Sequence, residues 1–314
     1  MAHRHNRRQT GVRASPDTSR RLRLGFVLSA GLLLAELAGG FLANSLALLS
    51  DAAHVFTDVL ALGLGWFAAA QALRPATPRR TYGYHRAGIL AALFNALMLV
   101  AISLAITYEA VQRLQSPEPV NSPLMLSVAV IGLAVNLFVA LSLHAEPGEN
   151  LNIRSALLHV IGDILASAAV IIGGIIIFLT GLYFVDPLLS VLIALIIVGG
   201  AWSIVLETVN ILMEGTPRGI NIEKLLHDIK STPGVLDAHD LHVWSLAAGI
   251  NAMSGHVVIE DRAVSESALI LEMLAELLRE KYGIDHATIQ FEHRKCGLAC
   301  TLFEDHLLTE MSNE

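Results

Sequence analysis

The chain has 314 residues, of which 54% are hydrophobic and only 16% are charged, and its mean hydropathy is +0.58. Charged residues make up about a quarter of a soluble protein, so this composition excludes a disordered chain and favours a membrane protein over a water-soluble globule. The charge is also uneven. Residues 1–211 carry 13 Lys and Arg against 11 Asp and Glu, whereas residues 212–314 carry 8 against 17. We therefore expect one part in a membrane and the other in water.

The chain begins with an arginine-rich stretch, residues 1–20, which predicts a disordered cytoplasmic tail. Six apolar runs follow, and about 20 apolar residues are needed to cross a bilayer as a helix. A soluble helical bundle is the alternative, but six such runs leave almost no soluble remainder. We therefore predict a six-helix transmembrane domain over residues 21–213. The predicted spans are 22–43, 45–73, 87–112, 122–144, 153–180 and 187–211.

The arginines of the short loops predict the orientation, because cytoplasmic loops are enriched in Lys and Arg. Seven arginines precede Leu24, four lie between the second and third spans, and Arg154 lies between the fourth and fifth. The opposite loops carry only Arg113. This bias predicts that both termini are cytoplasmic.

Residues 214–294 have the pattern of a small soluble domain, with the order α-β-β-α-β typical of a compact α+β fold such as the ferredoxin and metallochaperone folds. The predicted elements are a helix over 220–231, strands over 235–247 and 250–260, a helix over 264–282 and a strand over 286–293. Residues 295–314 are predicted to be a tail. They contain Cys296 and Cys300, the only cysteines of the chain, which are too few for a disulfide scaffold and suit a reducing compartment.

Placing an ionisable residue at the centre of a membrane span costs about 2.5–3.5 kcal/mol of free energy. Each such residue in a span is therefore expected to have a function. The second span contains His54 and Asp58, and the fifth contains His159 and Asp163. Both pairs have i,i+4 spacing, which puts the two side chains on one face of a helix. Their surroundings share the pattern Ser-x-x-x-His-Val-x-x-Asp, so each helix offers half of a metal site.

The second and fifth spans are predicted to run antiparallel, so that each histidine faces the aspartate of the other helix. Two nitrogen and two oxygen ligands without a thiolate suit a tetrahedral cation, with Zn²⁺ first and Cd²⁺ and Co²⁺ as competitors. A polar group that ties two helices together is the alternative for any one of these residues. Two matched motifs at the same depth favour the metal site.

The same ligands suggest an energy source, because imidazole in water titrates near pH 6.5 and a metal ion must displace its proton. Competition between Zn²⁺ and H⁺ for one site, opened alternately to the two sides, is sufficient for antiport. The hypothesis is therefore a secondary transporter rather than an enzyme.

Three further residues have weaker patterns. Asp51 lies seven residues before Asp58 on the same helical face and is interpreted as an outer residue that guides the cation, or as a helix-packing residue. Glu36 in the first span is either a proton relay or a helix-pairing residue. His85, in the loop between the second and third spans, is either an accessory metal ligand or a solvated histidine.

Seven of the 13 histidines fall in the acidic C-terminal part. His239, His256 and His293 lie in the three predicted strands and suggest a shared cytoplasmic metal site. Cys296 and Cys300 follow His293 closely enough to add thiolates. Surface histidines on an acidic domain remain the alternative interpretation.

Taken together, these motifs resemble the cation diffusion facilitator family, in particular its bacterial branch of zinc, cadmium and cobalt exporters. The resemblance runs from Arg21 to about His293. It rests on the following segments: Asn44 to Asp58 (NSLALLSDAAHVFTD), Thr81 to Asn95 (TYGYHRAGILAALFN), Glu149 to Asp163 (ENLNIRSALLHVIGD), Val185-Asp186-Pro187 and Ala238 to Ser245 (AHDLHVWS).

This resemblance implies a homodimeric exporter that exchanges cytoplasmic Zn²⁺ for H⁺, with a C-terminal domain that dimerises and senses zinc. The implied transport ligands are His54, Asp58, His159 and Asp163. The implied ligands of the cytoplasmic site are His239, His256 and His293. A histidine rather than an aspartate at the first transport position resembles the zinc-selective bacterial branch, which implies a location in a bacterial-type inner (plasma) membrane.

Two other function classes fit the sequence less well than an antiporter. An intramembrane metalloprotease needs a His-Glu-x-x-His helix, and the sequence contains none. A membrane-anchored zinc sensor needs only the soluble domain, which leaves the carboxylates within the spans unexplained. The predicted partners are therefore Zn²⁺, H⁺, the lipid bilayer and a second copy of the chain, with neither an organic cofactor nor nucleic acid.

Overall fold

A computed structural model of the chain describes residues 16–144, 151–247 and 249–294. Side chains are described in the same ranges except at 16–26, 62, 142–144 and 151–159. Six long helices come first. They are α1 (Pro16–Ala43), α2 (Leu46–Ala72), α3 (Ala87–Gln115), α4 (Ser122–His144), α5 (Leu151–Thr180) and α6 (Val185–Leu212).

Helices α2 to α6 each contain a stretch long and apolar enough to cross a membrane, whereas the described apolar stretch of α1, Val27–Ala43, is shorter. Helix α1 begins at Pro16, so the last five residues of the predicted tail are helical in this structure. Proline is favourable at the first position of a helix because its missing N–H would have no intrahelical partner there.

The remaining elements form the C-terminal domain. They are α7 (Ile222–Lys230), β1 (Val235–Ala247), β2 (Ile250–Ile259), α8 (Val264–Tyr282) and β3 (Ile284–Glu292). The sheet order is β1-β2-β3, with β1 and β2 antiparallel and β2 and β3 parallel. The predicted architecture, six apolar helices followed by an αββαβ domain, is confirmed.

One core joins the sheet and the two helices of this domain. Leu225 and Ile229 of α7 and Leu274 and Leu278 of α8 are fully buried in it. Strand β3 begins two residues earlier than predicted, because Gly283 ends α8 in the left-handed conformation (φ 61°) and the chain is extended immediately afterwards. Glycine adopts this conformation without steric cost.

Asp228 of α7 connects the two helices at the surface of the domain. Its carboxylate accepts hydrogen bonds from Lys281 and from the Tyr282 hydroxyl, the latter at 2.5 Å. These two donors lower the pKa of Asp228, with the lysine as the larger cause. Burial and the neighbouring carboxylate raise the pKa of Tyr282 to about 12, so the hydroxyl keeps its proton at neutral pH.

A carboxylate of α6 holds the start of α2. Asp186 is fully buried and accepts hydrogen bonds from the Ser45 hydroxyl at 2.5 Å, the Leu46 N–H at 2.7 Å and the Ala47 N–H at 3.3 Å. The first N–H groups of a helix lack intrahelical partners. Asp186 therefore caps the helix that carries His54 and Asp58.

Replacing Asp186 by alanine should destabilise the membrane domain, because three donors in a buried environment lose their acceptor. Loss of a helix cap and of a buried acceptor costs about 2–3 kcal/mol together. Thermal unfolding of the purified protein in detergent measures the effect. Glu207→Ala, which removes an exposed carboxylate of the same helix, is the matched control. Equal unfolding temperatures for the two variants would contradict the capping role.

Candidate metal centres

Three of the four predicted transport ligands meet between α2 and α5. The Nε2 atom of His54 lies 3.2 Å from Oδ1 of Asp163 and 3.8 Å from Oδ2 of Asp58. The ligand atoms of these three residues all lie within 4.8 Å of one another. The i,i+4 pair of α2 thus converges with a carboxylate of α5, as the matched motifs predict.

These separations are within about 0.2 Å of those expected for a tetrahedral zinc site. With Zn–N and Zn–O bonds of about 2.0–2.2 Å, two ligand atoms of one tetrahedron lie roughly 3.3–3.6 Å apart. The observed 3.2 and 3.8 Å lie on either side of this range. The side chains of His54 and Asp163 are exposed by only 25% and 14%, so a cation there would exchange most of its water for protein ligands.

The predicted fourth ligand is His159, whose side chain lies outside the described residues. Its backbone is part of α5, one helical turn before Asp163. Its assignment as a ligand stays a prediction that rests on the i,i+4 spacing.

Two more carboxyl groups are buried in the membrane domain. Asp51 of α2 is 4% exposed and is not one of the three residues that converge. Glu36 of α1 is fully buried, and among the described residues neither of its carboxyl oxygens has a hydrogen-bond partner. It faces Gly132 of α4, where an added Cβ would lie 2.9 Å from Oε1 of Glu36. No pattern in the sequence singles out Gly132, which leaves room for this carboxyl between α1 and α4.

A second group of ligand atoms lies on the sheet of the C-terminal domain. It consists of His239 of β1, His256 of β2 and Glu292 of β3. One carboxylate oxygen of Glu292 lies 2.6 Å from Nδ1 of His256, and the other lies 3.6 Å from Nε2 of His239. All three side chains are mostly buried, with 8–17% exposure. The group therefore offers two imidazoles and one carboxylate to a cation.

A β-bulge shapes this second group. His239 pairs with His256, but the next pair is His242 with Ser254, so β1 has one extra residue at this point. Asp240 takes a left-handed conformation there (φ 51°), and its carboxylate lies 3.1 Å from His242 and 3.9 Å from His256. The bulge thus brings one more carboxylate beside the paired histidines.

The structure does not bring His293 into this group. His293 lies just beyond the end of β3 and is exposed, and the residue in its predicted place is Glu292. Side chains alternate between the two faces of a strand. Phe291 packs against the domain core, as do Ala238 and Val257, the neighbours of His239 and His256. Both histidines therefore lie on the face away from the core, which Glu292 shares and an odd-numbered residue of β3 does not. Once the strand pairing is known, this alternation favours Glu292 over His293.

The other candidate residues lie elsewhere. His85 is half-buried in the loop between α2 and α3 and lines a cavity of about 760 Å³ together with His242. It belongs to neither group of ligand atoms found among the described residues. Cys296 and Cys300 lie outside the described residues.

Comparisons with known proteins agree with both parts of this architecture. Residues 22–213 match the family model described as "Cation efflux transmembrane domain", and residues 217–294 match "Cation efflux protein, cytoplasmic domain". The chain is thus a multi-pass membrane protein with a cytoplasmic C-terminal domain.

Three relatives cover nearly the whole chain. The "Metal cation efflux system protein CzcD" of Cupriavidus metallidurans is 42% identical over 280 residues, which are 89% of this chain and 88% of the relative. The "Cadmium, cobalt and zinc/H(+)-K(+) antiporter" of Bacillus velezensis is 40% identical over 93% of this chain and 92% of its own length. The "Zinc transporter ZitB" of Escherichia coli is 38% identical over 97% of both chains.

Among solved structures, the metal-bound C-terminal domain of the CzcD transporter from Cupriavidus metallidurans is 40% identical, covering 23% of this chain and 99% of that one, with a TM-score of 0.22. The transmembrane family model matches 192 residues of this chain and the cytoplasmic one matches another 78, without overlap. The relatives that match nearly its full length are transporters and not enzymes. The chain therefore belongs to the cation efflux family of membrane transporters.

Proposed function

We propose that this chain exports cytoplasmic Zn²⁺ across the inner membrane in exchange for H⁺, binding the ion between α2 and α5. The observation that carries the proposal is the convergence of His54 with Asp58 and Asp163 at 3.2–3.8 Å inside a membrane domain. His159 is the proposed fourth ligand. Two of the relatives are named for zinc, and one of these also for cadmium and cobalt, so Cd²⁺ and Co²⁺ are the proposed alternative cargoes.

The exchange follows from the chemistry of the ligands. A histidine binds a metal ion through a neutral imidazole, so protons and Zn²⁺ compete for the same nitrogen atoms. When the site opens to the more acidic outside, protons displace the ion. When the protonated site opens to the cytoplasm, Zn²⁺ displaces the protons. The site therefore changes its exposure with one of the two cations bound, Zn²⁺ on the way out and protons on the way in.

The buried carboxylates favour transport over a membrane-anchored zinc sensor, the second candidate. A sensor needs a metal group only in the cytoplasmic domain, and charged groups within the spans would then cost free energy without a role. The cytoplasmic group of His239, His256 and Glu292 is proposed to bind a regulatory Zn²⁺, for which two imidazoles and one carboxylate are suitable ligands. This ion would cross-link all three strands of the sheet.

We further propose that the chain acts as a homodimer joined through the C-terminal domain, with both termini in the cytoplasm. The family of that domain and the arginine-rich loops on its side of the membrane support this arrangement. Lipid, Zn²⁺ and H⁺ are then its partners, and no organic cofactor or nucleic acid takes part.

Zinc uptake into inverted membrane vesicles tests the exchange. A vesicle interior more acidic than the medium should accelerate uptake several-fold, and collapse of the pH gradient should remove the acceleration. Because one relative is named for H⁺ and K⁺, a second series imposes a K⁺ gradient at constant pH. Uptake that responds only to K⁺ would overturn proton exchange, and uptake that responds to neither gradient would overturn antiport.

A further inference from the structure

The loop between α2 and α3 forms a basic cavity with the C-terminal domain. Its volume is about 760 Å³. Arg79, Arg80 and Arg86 line it, and Glu214 is the only carboxylate among its described lining residues. Arg86 forms an ion pair with Glu214 at 2.9 Å. The cavity therefore keeps an excess of two positive charges, which would attract an anion.

The loop that carries these charges has a defined conformation, which hydrogen bonds and ring contacts hold in place. Thr77 and Arg80 exchange two backbone hydrogen bonds of 2.9 and 3.1 Å, and the Gly83 N–H donates to the Arg80 carbonyl at 2.8 Å. The guanidinium group of Arg80 stacks over the Tyr84 ring, 4.4 Å from its centroid. Tyr82 makes an edge contact with His286 of β3, at 5.8 Å between ring centroids. The loop backbone and the Arg80 side chain are thus positioned before any ligand arrives, which reduces the entropy lost on binding.

The position of the loop places this cavity at the cytoplasmic surface of the membrane. The loop joins the ends of two spanning helices, and it contacts residues of the cytoplasmic domain. Trp66, six residues before the end of α2, is 78% exposed, and aromatic residues are enriched at the level of the lipid headgroups. Apolar surface also adjoins the charges, because Leu90 in the first turn of α3 lines the cavity and is 55% exposed.

We propose that this cavity binds the phosphate headgroup of an anionic lipid of the cytoplasmic leaflet. Arg79 and Arg80 bind the phosphate, as guanidinium groups do in bidentate geometry, and one acyl chain lies against Leu90. Basic pockets on the cytoplasmic side of membrane proteins bind such headgroups. A soluble phosphate would meet the same two arginines but would make no use of the apolar side.

Native mass spectrometry of the full-length protein in a neutral detergent tests the proposal, with phosphatidylglycerol and phosphatidylcholine as probes. The wild type should retain phosphatidylglycerol in preference to phosphatidylcholine. The variant Arg79→Gln/Arg80→Gln should bind phosphatidylglycerol roughly tenfold or more weakly, since each basic residue near a headgroup contributes measurably. Arg79→Lys/Arg80→Lys should keep most of the binding. Arg218→Gln/Arg279→Gln, which removes the same charge elsewhere in the domain, is the matched control.

Three results would overturn the proposal: equal retention of the two lipids by the wild type, binding by the glutamine variant equal to that of the control, or displacement of phosphatidylglycerol by excess inorganic phosphate. The last result would identify a soluble anion as the ligand. The lipid preference of the wild type is decisive even if the glutamine variant does not fold. None of these measurements depends on zinc flux, so they test the cavity separately from the transport function.

Discussion

Replacing Asp163 by alanine is expected to abolish zinc transport and to leave zinc binding by the cytoplasmic domain intact. The carboxylate of Asp163 lies 3.2 Å from Nε2 of His54, so its loss removes one proposed ligand and the charge that would balance the cation. Changes in residues that only orient a metal ligand already cost about 10–100-fold. We therefore expect the loss of a direct ligand to reduce flux by more than about 100-fold.

Zinc flux into proteoliposomes under an imposed pH gradient measures this effect. Asp163→Asn keeps the shape of the side chain and removes its charge, and it should be nearly as inactive as the alanine variant. Glu207→Gln removes an exposed carboxylate of α6 and should transport at the wild-type rate. Wild-type flux in either Asp163 variant would exclude this residue from the transport site. Loss of zinc binding by the cytoplasmic domain would instead indicate a folding defect.

Glu292→Gln is expected to weaken zinc binding at the cytoplasmic site by more than tenfold, whereas His293→Gln should leave it unchanged. Glu292 and His293 differ in their positions relative to the sheet. The Glu292 carboxylate contacts both His239 and His256, whereas His293 lies beyond β3 and is exposed. Removing a charged ligand costs more than removing an outer residue of a metal site.

Both substitutions are best made in the Asp163→Ala background, so that the cytoplasmic site dominates the zinc titrated. Isothermal titration calorimetry of the full-length protein then compares the pair directly. The reverse order, with weak binding in the His293 variant and normal binding in the Glu292 variant, would restore the ligand set expected from histidines alone. The variant Asp240→Asn tests separately whether the carboxylate at the β-bulge contributes to zinc binding, because this carboxylate lies 3.9 Å from His256.

The two candidate metal centres were predictable from the sequence to different extents. In the membrane domain, His54, Asp58 and Asp163 stand out because ionisable residues are rare in apolar helices and i,i+4 spacing alone aligns them on one face. In the cytoplasmic domain, charged residues and histidines are common, so neither rarity nor local spacing distinguishes a ligand. There the choice between Glu292 and His293 depends on the pairing of β3 with the sheet and on where β3 ends.

Asp186 and Gly132 are two residues of the membrane domain whose contacts likewise could not be predicted from the sequence. Asp186 is separated from its partner Ser45 by 141 residues, and nothing in the sequence near either residue pairs them. Gly132 is one of 24 glycines in the chain, and only the approach of Glu36 of α1 distinguishes it. Both contacts arise when distant helices pack, so their residues carry no periodic pattern along the chain.

The sequence by itself determined the membrane class, the six helices, the αββαβ order of the domain and the i,i+4 pairs of α2 and α5 that we propose as ligands. These features depend on hydropathy and on helical or strand periods, which act over a few turns of chain. Only the tertiary structure decided that Glu292 joins His239 and His256, that Asp186 caps α2, and that Arg79 and Arg80 share one cavity with the cytoplasmic sheet. Strand register, helix packing and loop contacts depend on pairings between distant residues, which local patterns do not encode.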